Sequence, residues 1–181
     1  MQIIVAVDQH WGIGKNNQLL FSIPKDLQFF KETTEGKVVV MGRKTLQSLP
    51  HSRPLKNRMN IVLSKSAVVH SDLNLQTQNS NIQKIDNLLF VKDHATLFQS
   101  LQQYNTDDVL IIGGAMVYKD LLPYCSKAWV TKVFADGQAT HFFENLDELQ
   151  DWEMIETKPI QEDNGYTFQI CRYKNNKIKN L

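Results

Sequence analysis

Residues 37–45 read Lys37-Val38-Val39-Val40-Met41-Gly42-Arg43-Lys44-Thr45, an apolar run that ends in a glycine, two cations and a hydroxyl. A short run of β-branched residues that is apolar throughout predicts a strand buried on both faces. The glycine marks the end of this strand, and we expect a short helix directly after it. A buried strand that turns at once into a helix is typical of α/β proteins.

The same arrangement recurs along the rest of the chain. Buried strands are predicted at residues 2–8, 37–41, 58–64, 88–91, 109–112 and 129–134, and two more, near 152–158 and 166–173, are expected to pair antiparallel. Helices are predicted at about 24–35, at 94–103, and between Gly114 and Pro123. Because ligands of such sheets bind beyond the carboxyl ends of the strands, the residues that follow these strands should converge on one rim.

Bulk composition narrows the class of protein. The 181 residues favour a single domain over 1–181, with the polar residues 71–87 as an exposed excursion. A net charge of +1, from 20 basic and 19 acidic residues, argues against nucleic-acid and membrane partners. No signal peptide or membrane-spanning stretch is recognisable, the two cysteines are distant, and the five histidines have no ligand spacing. We therefore expect a cytoplasmic protein without a metal site, and a monomer.

Asp26 stands out within Leu20-Phe21-Ser22-Ile23-Pro24-Lys25-Asp26-Leu27-Gln28-Phe29-Phe30, because it falls in the first turn of a predicted helix. Phe29 and Phe30 follow it by three and four residues and therefore share its side of the helix. An ionised carboxylate beside aromatic surface is costly unless it has a partner, a raised pKa or a ligand. Taken alone, however, an acid at this place is more often a surface residue that complements the helix dipole.

Two strand-to-helix turns are suited to phosphate groups. Gly42-Arg43-Lys44-Thr45 combines backbone N–H groups with two cations and a hydroxyl, and Gly113-Gly114 allows the backbone to approach a ligand closely. Each has a simpler interpretation when it is taken alone, as a solvated basic turn or as a tight turn that needs positive φ. Together on one rim they predict a dinucleotide at a split site.

Two further segments leave alternatives open. The loop with Gly12-Ile13-Gly14 is not a Rossmann fingerprint, because Asn17 stands at the position of the third glycine. It is either a mobile lid or a simple connection. Arg58 comes just before a strand, where an arginine suits bidentate binding of a carboxylate, although it could equally be a solvated loop charge.

In their order and spacing, these residues resemble the bacterial type of dihydrofolate reductase over nearly the full chain. The matching segments are Ile4-Val5-Ala6-Val7, Gly12-Ile13-Gly14, Pro24-Lys25-Asp26-Leu27 with Phe30, Met41-Gly42-Arg43-Lys44-Thr45, Asn60-Ile61-Val62-Leu63-Ser64, Ile112-Gly113-Gly114 with Tyr118, Thr131, and Thr140-His141-Phe142. The resemblance implies a three-layer α/β fold with a mostly parallel central sheet of about eight strands, an antiparallel C-terminal strand and helices on both faces. It implies reduction of 7,8-dihydrofolate to 5,6,7,8-tetrahydrofolate by hydride transfer from NADPH to C6 with protonation at N5, in support of one-carbon and thymidylate metabolism. Enzymes of this family are antifolate targets.

The resemblance also implies a role for individual residues. Asp26 matches the acid that hydrogen-bonds the pterin ring and promotes protonation at N5, Thr131 the hydroxyl that supports it, and Arg58 the arginine that pairs with the glutamate tail. The substrate pocket is expected to contain Ile4, Val5, Ala6, Asp26, Leu27, Phe30, Leu49, Leu55, Arg58, Ile112, Tyr118 and Thr131. The NADPH site is expected to contain Ala6, Ile13, Gly14, Asn17, Gly42, Arg43, Lys44, Thr45, Leu63, Ser64, Lys65, Ile112, Gly113, Gly114, Ala115, Met116, Val117 and Tyr118. In the family, the Gly-Gly peptide is cis.

Four positions depart from the family pattern: Leu20 stands where proline is frequent, Asn57 replaces a common glycine, and Phe21 and Met116 bear on the chemistry. Phe21, which belongs with Asp26 and Thr131 among the catalytic positions, stands where tryptophan is usual and cannot donate the hydrogen bond of an indole. Met116 stands where some members carry a basic residue, so the preference for NADPH is expected to depend on Arg43, Lys44 and Lys65. The alternatives are a pyrimidine reductase of the riboflavin pathway, which has the same fold, and a catalytically idle folate- or nucleotide-binding module.

Overall fold

The computed structural model describes residues 1–65, 82–85 and 87–180. Its helices are α1 (Pro24–Thr34), α2 (Arg43–Ser48), α3 (His94–Leu101) and α4 (Ala115–Leu121). Its strands are β1 (Gln2–Val7), β2 (Gly12–Gly14), β3 (Val38–Gly42), β4 (Met59–Leu63), β5 (Ile82–Ile85), β6 (Leu88–Val91), β7 (Val109–Gly113), β8 (Lys127–Val133), β9 (His141–Phe142), β10 (Trp152–Thr157), β11 (Gln161–Asp163) and β12 (Tyr166–Asn175).

A ten-stranded sheet forms the middle of the molecule, in the order β10-β12-β8-β1-β7-β3-β4-β6-β5, with β11 paired to β12. The strands from β8 to β6 in this order are parallel to their neighbours. The strand β12 joins β8 antiparallel, and β10 and β11 both join β12 antiparallel. The short strands β2 and β9 form a separate antiparallel pair.

Side chains that alternate along the strands fill the two faces of the sheet. On one face, residues such as Val38 and Val40 of β3 pack with the apolar residues of α3 and α4. On the other face, Val39 and Met41 pack with Leu46 of α2. The apolar side of α1 packs on β8 and β12 in a third cluster, so α1 and α2 lie on the same side of the sheet. The three-layer arrangement is therefore confirmed.

All eight strands predicted from the sequence are present within about two residues of their expected ends. The additional strands of the main sheet, β5 and β11, are short and lie at its edges. The expected excursion at 71–87 was partly wrong, because residues 82–85 form β5, which pairs antiparallel with β6. The rest of that segment up to residue 81 lies outside the described residues, as does residue 86.

Three features of the described part of the chain concern its helix lengths, its possible metal ligands and its cysteines. No helix there has the length and hydropathy needed to cross a membrane. No group of three or more His, Cys, Asp or Glu side chains among the described residues is arranged to hold a metal ion. Both cysteines, Cys125 and Cys171, are buried free thiols.

Candidate active site

Asp26 lies at the third position of α1 and points to the neighbouring sheet. Thr131, a buried residue of β8, donates a hydrogen bond from its Oγ1 to Oδ1 of Asp26 at 2.6 Å. Burial raises the pKa of the Asp26 carboxyl above its usual value, while the hydrogen bond from Thr131 opposes this shift. Asp26 therefore has both a partner and a raised pKa, which a simple surface acid at a helix N-terminus would not have.

The main chain places these two residues beside β1. Ala6 is paired in register with Thr131, so β1 passes directly next to the Asp26 carboxylate. Tyr118 of α4 donates its hydroxyl hydrogen to the carbonyl oxygen of Ile4 at 2.8 Å and so fixes the middle of the same strand. Burial raises the pKa of Tyr118, and the negative charge of Asp26 adds to that shift.

The apolar residues predicted for the substrate pocket divide between the two faces of the sheet. Leu49, Leu55 and Ile112 are half-buried on the cluster that includes α2. On α1, Phe30 is half-buried and Leu27 is exposed to 47% of its surface. Val5, by contrast, packs in the cluster with α3 and α4, so only its backbone can face Asp26.

Arg58 is buried, with 8% of its surface exposed, so the interpretation as a solvated loop charge is wrong. Its Nε donates to Oγ1 of Thr34 at 2.8 Å, and its Nη1 and Nη2 donate to the carbonyl oxygens of Lys56 and Lys31 at 2.5 and 3.0 Å. Burial lowers the pKa of Arg58, and the charge of Glu35 opposes that shift. Because a guanidinium has five N–H donors, these three bonds leave one N–H on Nη1 and one on Nη2.

The two turns predicted for phosphate meet at the carboxyl ends of neighbouring strands. Met41, directly before Gly42, is paired with Gly113, and the Gly113–Gly114 peptide bond is cis, as the resemblance implies. A side chain at Gly42 would bring its Cβ to 3.2 Å from Cγ2 of Val117 and 3.8 Å from the backbone nitrogen of Gly114. The two turns are thus close enough to contact one ligand, and glycine at Gly42 keeps the space between them open.

The remaining predicted cofactor residues surround this pair of turns. Thr45 is half-buried, and its Oγ1 lies 3.3 Å from where a Cβ of Gly114 would be. Leu63 and Ser64 follow on the neighbouring strand β4 and are half-buried. Four of the predicted cofactor residues are exposed at the surface around the two turns, namely Arg43, Lys44, Lys65 and Met116. Ala115 is half-buried and Val117 is buried.

The loop with Gly12 and Gly14 forms one side of a small two-stranded element, which is named the cover. Its strand β2 pairs with β9, and Asn17 at the tip has a φ of 60°. The buried carboxylate of Asp8 accepts hydrogen bonds from the backbone nitrogens of Gly12 at 2.7 Å and Gly137 at 3.1 Å. Ile13 packs on the main core cluster. This cover is therefore attached at its base to two separate parts of the chain.

Two features near Asp26 were not predicted from the sequence. One is Asp8, which anchors the cover as described. The other is the β11–β12 hairpin, in which Asp163 accepts a hydrogen bond from the backbone nitrogen of Lys25 and Tyr166 packs against Phe21. Asn164-Gly165 is a strong local signal for such a hairpin, but nothing local shows which segment it will contact.

Comparisons with known proteins agree with this geometry. The family model described as dihydrofolate reductase matches residues 1–175. Dihydrofolate reductase of Schistosoma mansoni is 32% identical over 96% of this chain and 95% of its own, and that of Bacillus subtilis is 30% identical over 96% and 94%. A solved structure of dihydrofolate reductase from Enterococcus faecalis, complexed with NADP(H) and RAB-propyl, superposes with a TM-score of 0.76 at 29% identity, covering 97% of this chain and 95% of that one.

Proposed function

The chain belongs to the dihydrofolate reductase family and reduces 7,8-dihydrofolate to 5,6,7,8-tetrahydrofolate with NADPH, and we propose that Asp26, supported by Thr131, is the residue that orients the pterin ring and promotes its protonation at N5. The observation that carries this assignment is the 2.6 Å hydrogen bond between Thr131 Oγ1 and Asp26 Oδ1. It leaves the second carboxylate oxygen, Oδ2, available for the substrate.

The proposed mechanism uses the raised proton affinity of a buried carboxyl. Burial raises the pKa of Asp26, so the carboxyl keeps its proton closer to neutral pH and can hydrogen-bond the polar edge of a pterin ring. NADPH supplies the hydride that reaches C6. Asp26 holds the ring in the orientation in which N5 takes up a proton from solvent, and the apolar residues around it exclude other water.

We assign the substrate wall to apolar residues on the Asp26 side of the sheet. These are Ile4 and Ala6 on β1, Leu27 and Phe30 on α1, and Leu49, Leu55 and Ile112 beside α2. Arg58 would bind the carboxylate of the glutamate tail, because it is held rigidly at the end of α1 by three hydrogen bonds. Phe21 would border the ring as an apolar neighbour without a hydrogen-bond donor.

The NADPH site is proposed to extend across the two glycine turns. Gly42 and Gly113–Gly114 allow backbone groups to approach the pyrophosphate, and the fit is supported by the space that a Cβ at Gly42 would fill. The exposed cations Arg43, Lys44 and Lys65 would recognise the additional phosphate. Ile13, Gly14 and Asn17 would cover the nicotinamide end of the site. Ala6 and Tyr118 would limit the depth of the pocket there.

We also propose that the protein acts as a monomer in the cytoplasm. The two buried cysteines are unpaired thiols, as expected in a reducing compartment. The alternatives of a riboflavin-pathway reductase and an idle binding module have no support from the relatives named above.

Asp26→Asn tests the central assignment. It should lower kcat for dihydrofolate at neutral pH by about a hundredfold or more, because the amide cannot bind and release a proton as the carboxyl does. The dissociation constant for NADPH, measured by quenching of protein fluorescence, should change by less than about threefold, since Asp26 is not placed at the cofactor. Unchanged turnover in this variant would exclude the role that we assign to Asp26.

A further inference from the structure

The first turn of α1 does not provide its own cap. Ile23, the N-cap residue, has no side-chain acceptor, and Pro24 has no N–H to donate. The next donor along the helix is the backbone nitrogen of Lys25, which directly precedes Asp26. It donates to Oδ2 of Asp163 at 2.7 Å, so the acceptor comes from a residue 138 positions away.

Asp163 belongs to a hairpin that grips this segment at several points. Asn164 donates from Nδ2 to the carbonyl oxygen of Ser22 at 2.8 Å, and Nζ of Lys25 donates to the carbonyl oxygen of Glu162 at 3.0 Å. The ring of Tyr166 meets that of Phe21 edge-on, with centroids 4.9 Å apart. These contacts hold the chain on both sides of Pro24.

The hairpin itself has a fixed geometry. Asn164 and Gly165 have φ values of 49° and 80°, which are typical of the two central residues of a tight two-residue turn. The flanking residues Asp163 and Tyr166 are paired in register. The strand β12 is also paired with β8 along seven residues. The hairpin that carries Asp163 is therefore fixed to the same sheet as Thr131.

We propose that Asp163 is a positioning residue for the reduction of dihydrofolate: its carboxylate caps α1 and thereby holds Asp26 in hydrogen-bonding register with Thr131. The inference rests on the role proposed for Asp26. Thr131 is fixed within the interior of the sheet, so the part of this pair that is free to move is the first turn of α1. Without an acceptor for the Lys25 N–H, that turn frays, and the Asp26 carboxylate loses its defined direction.

Glu162 provides a matched control one residue away. It contributes only its backbone carbonyl to the contact with Lys25, and its carboxylate has no hydrogen-bond or ion-pair partner among the described residues. Glu162→Ala therefore removes the same charge from the same strand but leaves the cap in place. Asp163→Asn keeps an oxygen acceptor for the Lys25 N–H and removes only the charge.

The pH profile gives a readout that a purely structural role would not move. The groups near the Asp26 carboxylate are Thr131 on β8, which donates to it, and Tyr118 on α4, whose pKa its charge raises. Asp163 on β11 accepts from the backbone N–H of Lys25, one residue before Asp26. When the first turn of α1 frays in Asp163→Ala, Asp26 loses both its burial and its bond to Thr131. Burial is the larger of these two opposing effects on its pKa, so the pKa of Asp26 falls towards its usual value. The loss of rate with rising pH should therefore begin at a lower pH in Asp163→Ala than in the unmodified protein.

The experiment measures kcat, the KM for NADPH and the pH profile of dihydrofolate reduction in the full-length variants. We expect Asp163→Ala to lower kcat roughly fivefold at neutral pH, with KM for NADPH unchanged within about twofold. The loss of kcat in Asp163→Asn should be less than about half of the loss in Asp163→Ala on a logarithmic scale. Glu162→Ala should have the kcat of the unmodified protein. If Asp163→Ala is too unstable to assay, Asp163→Ser, whose acceptor is shorter and weaker, should show a smaller loss of kcat and a smaller shift of the pH profile in the same direction.

Two results would overturn the inference. If Asp163→Ala has the kcat and pH profile of Glu162→Ala while Asp26→Asn is strongly impaired, the positioning role fails and the role of Asp26 stands. If Asp26→Asn keeps full turnover, the role of Asp26 fails and the inference about Asp163 fails with it.

Discussion

Thr131→Val removes the hydroxyl that supports Asp26 and leaves the shape of the side chain nearly unchanged. Thr131 is only 3% exposed, and its bond to Asp26 is 2.6 Å long, so no water can replace the hydroxyl without a rearrangement. Hydrogen bonds to charged groups contribute about 1.5–3 kcal/mol. Because Asp26 itself is only half-buried, we take the lower end, about 1.5 kcal/mol, which corresponds to a loss of about tenfold in kcat.

The same change has a defined sign on the pH profile. The hydrogen bond from Thr131 lowers the pKa of Asp26, so its removal raises that pKa further above the usual value. The loss of rate with rising pH should then begin at a higher pH than in the unmodified protein. Initial rates of NADPH oxidation with saturating dihydrofolate, measured across the pH range, test both the size and the direction of the effect.

Thr131→Ser is the matched control, because it keeps the hydroxyl and removes one methyl group. It should retain kcat within about threefold and leave the pH profile in place. If the valine and serine variants have the same kcat and the same pH profile, the hydroxyl of Thr131 does not support Asp26 and the reasoning is refuted.

Two further predictions concern stability and the glutamate tail. Because burial raises the pKa of folded Asp26, the stability associated with its protonated form is fully present below the pKa of the unfolded carboxyl and is lost as pH rises through the folded pKa. The free energy of unfolding of Asp26→Asn in urea should therefore exceed that of the unmodified protein by about 1 kcal/mol at neutral pH, and the difference should become smaller in acid. Equal stability at neutral pH would contradict this. Arg58→Lys should raise the KM for dihydrofolate about tenfold but leave the KM for a pterin substrate without the glutamate tail unchanged, because a lysine cannot reproduce the fork of Arg58; an equal increase for both substrates would show that Arg58 acts through the fold alone.

The strands and helices were predictable because their signals are local. The apolar run at 37–41 and its neighbours have the length and the β-branched content of buried strands, and these properties do not depend on distant contacts. The helix from Pro24 ends at Thr34, and Gly36 follows with a φ of 74°, as expected for a glycine just past a helix end. The strand at 82–85 was missed because its alternation, Ile-Gln-Lys-Ile, is short and half polar.

The contacts that form the candidate site were not predictable from local pattern. Thr131 lies 105 residues after Asp26, and only the family resemblance connected the two. Asp8 and Asp163 had no such support, since their partners are backbone nitrogens, and a backbone nitrogen has no signature in the sequence. Arg58 looked like either a tail-binding or a solvated residue until its burial and its bond to Thr34 were known.

The supports of Asp26 on its two sides have different physical characters. Thr131 donates a hydrogen bond to the carboxylate and so favours its charged form, whereas Asp163 caps the turn that keeps the carboxylate buried, and burial favours its neutral form. Removing either one should lower kcat through lost orientation, but the pH profile should move up in Thr131→Val and down in Asp163→Ala. The two variants together therefore separate the orientation of Asp26 from its proton affinity, because a common loss of rate with opposite shifts in pH can arise only if both groups act on this one carboxylate.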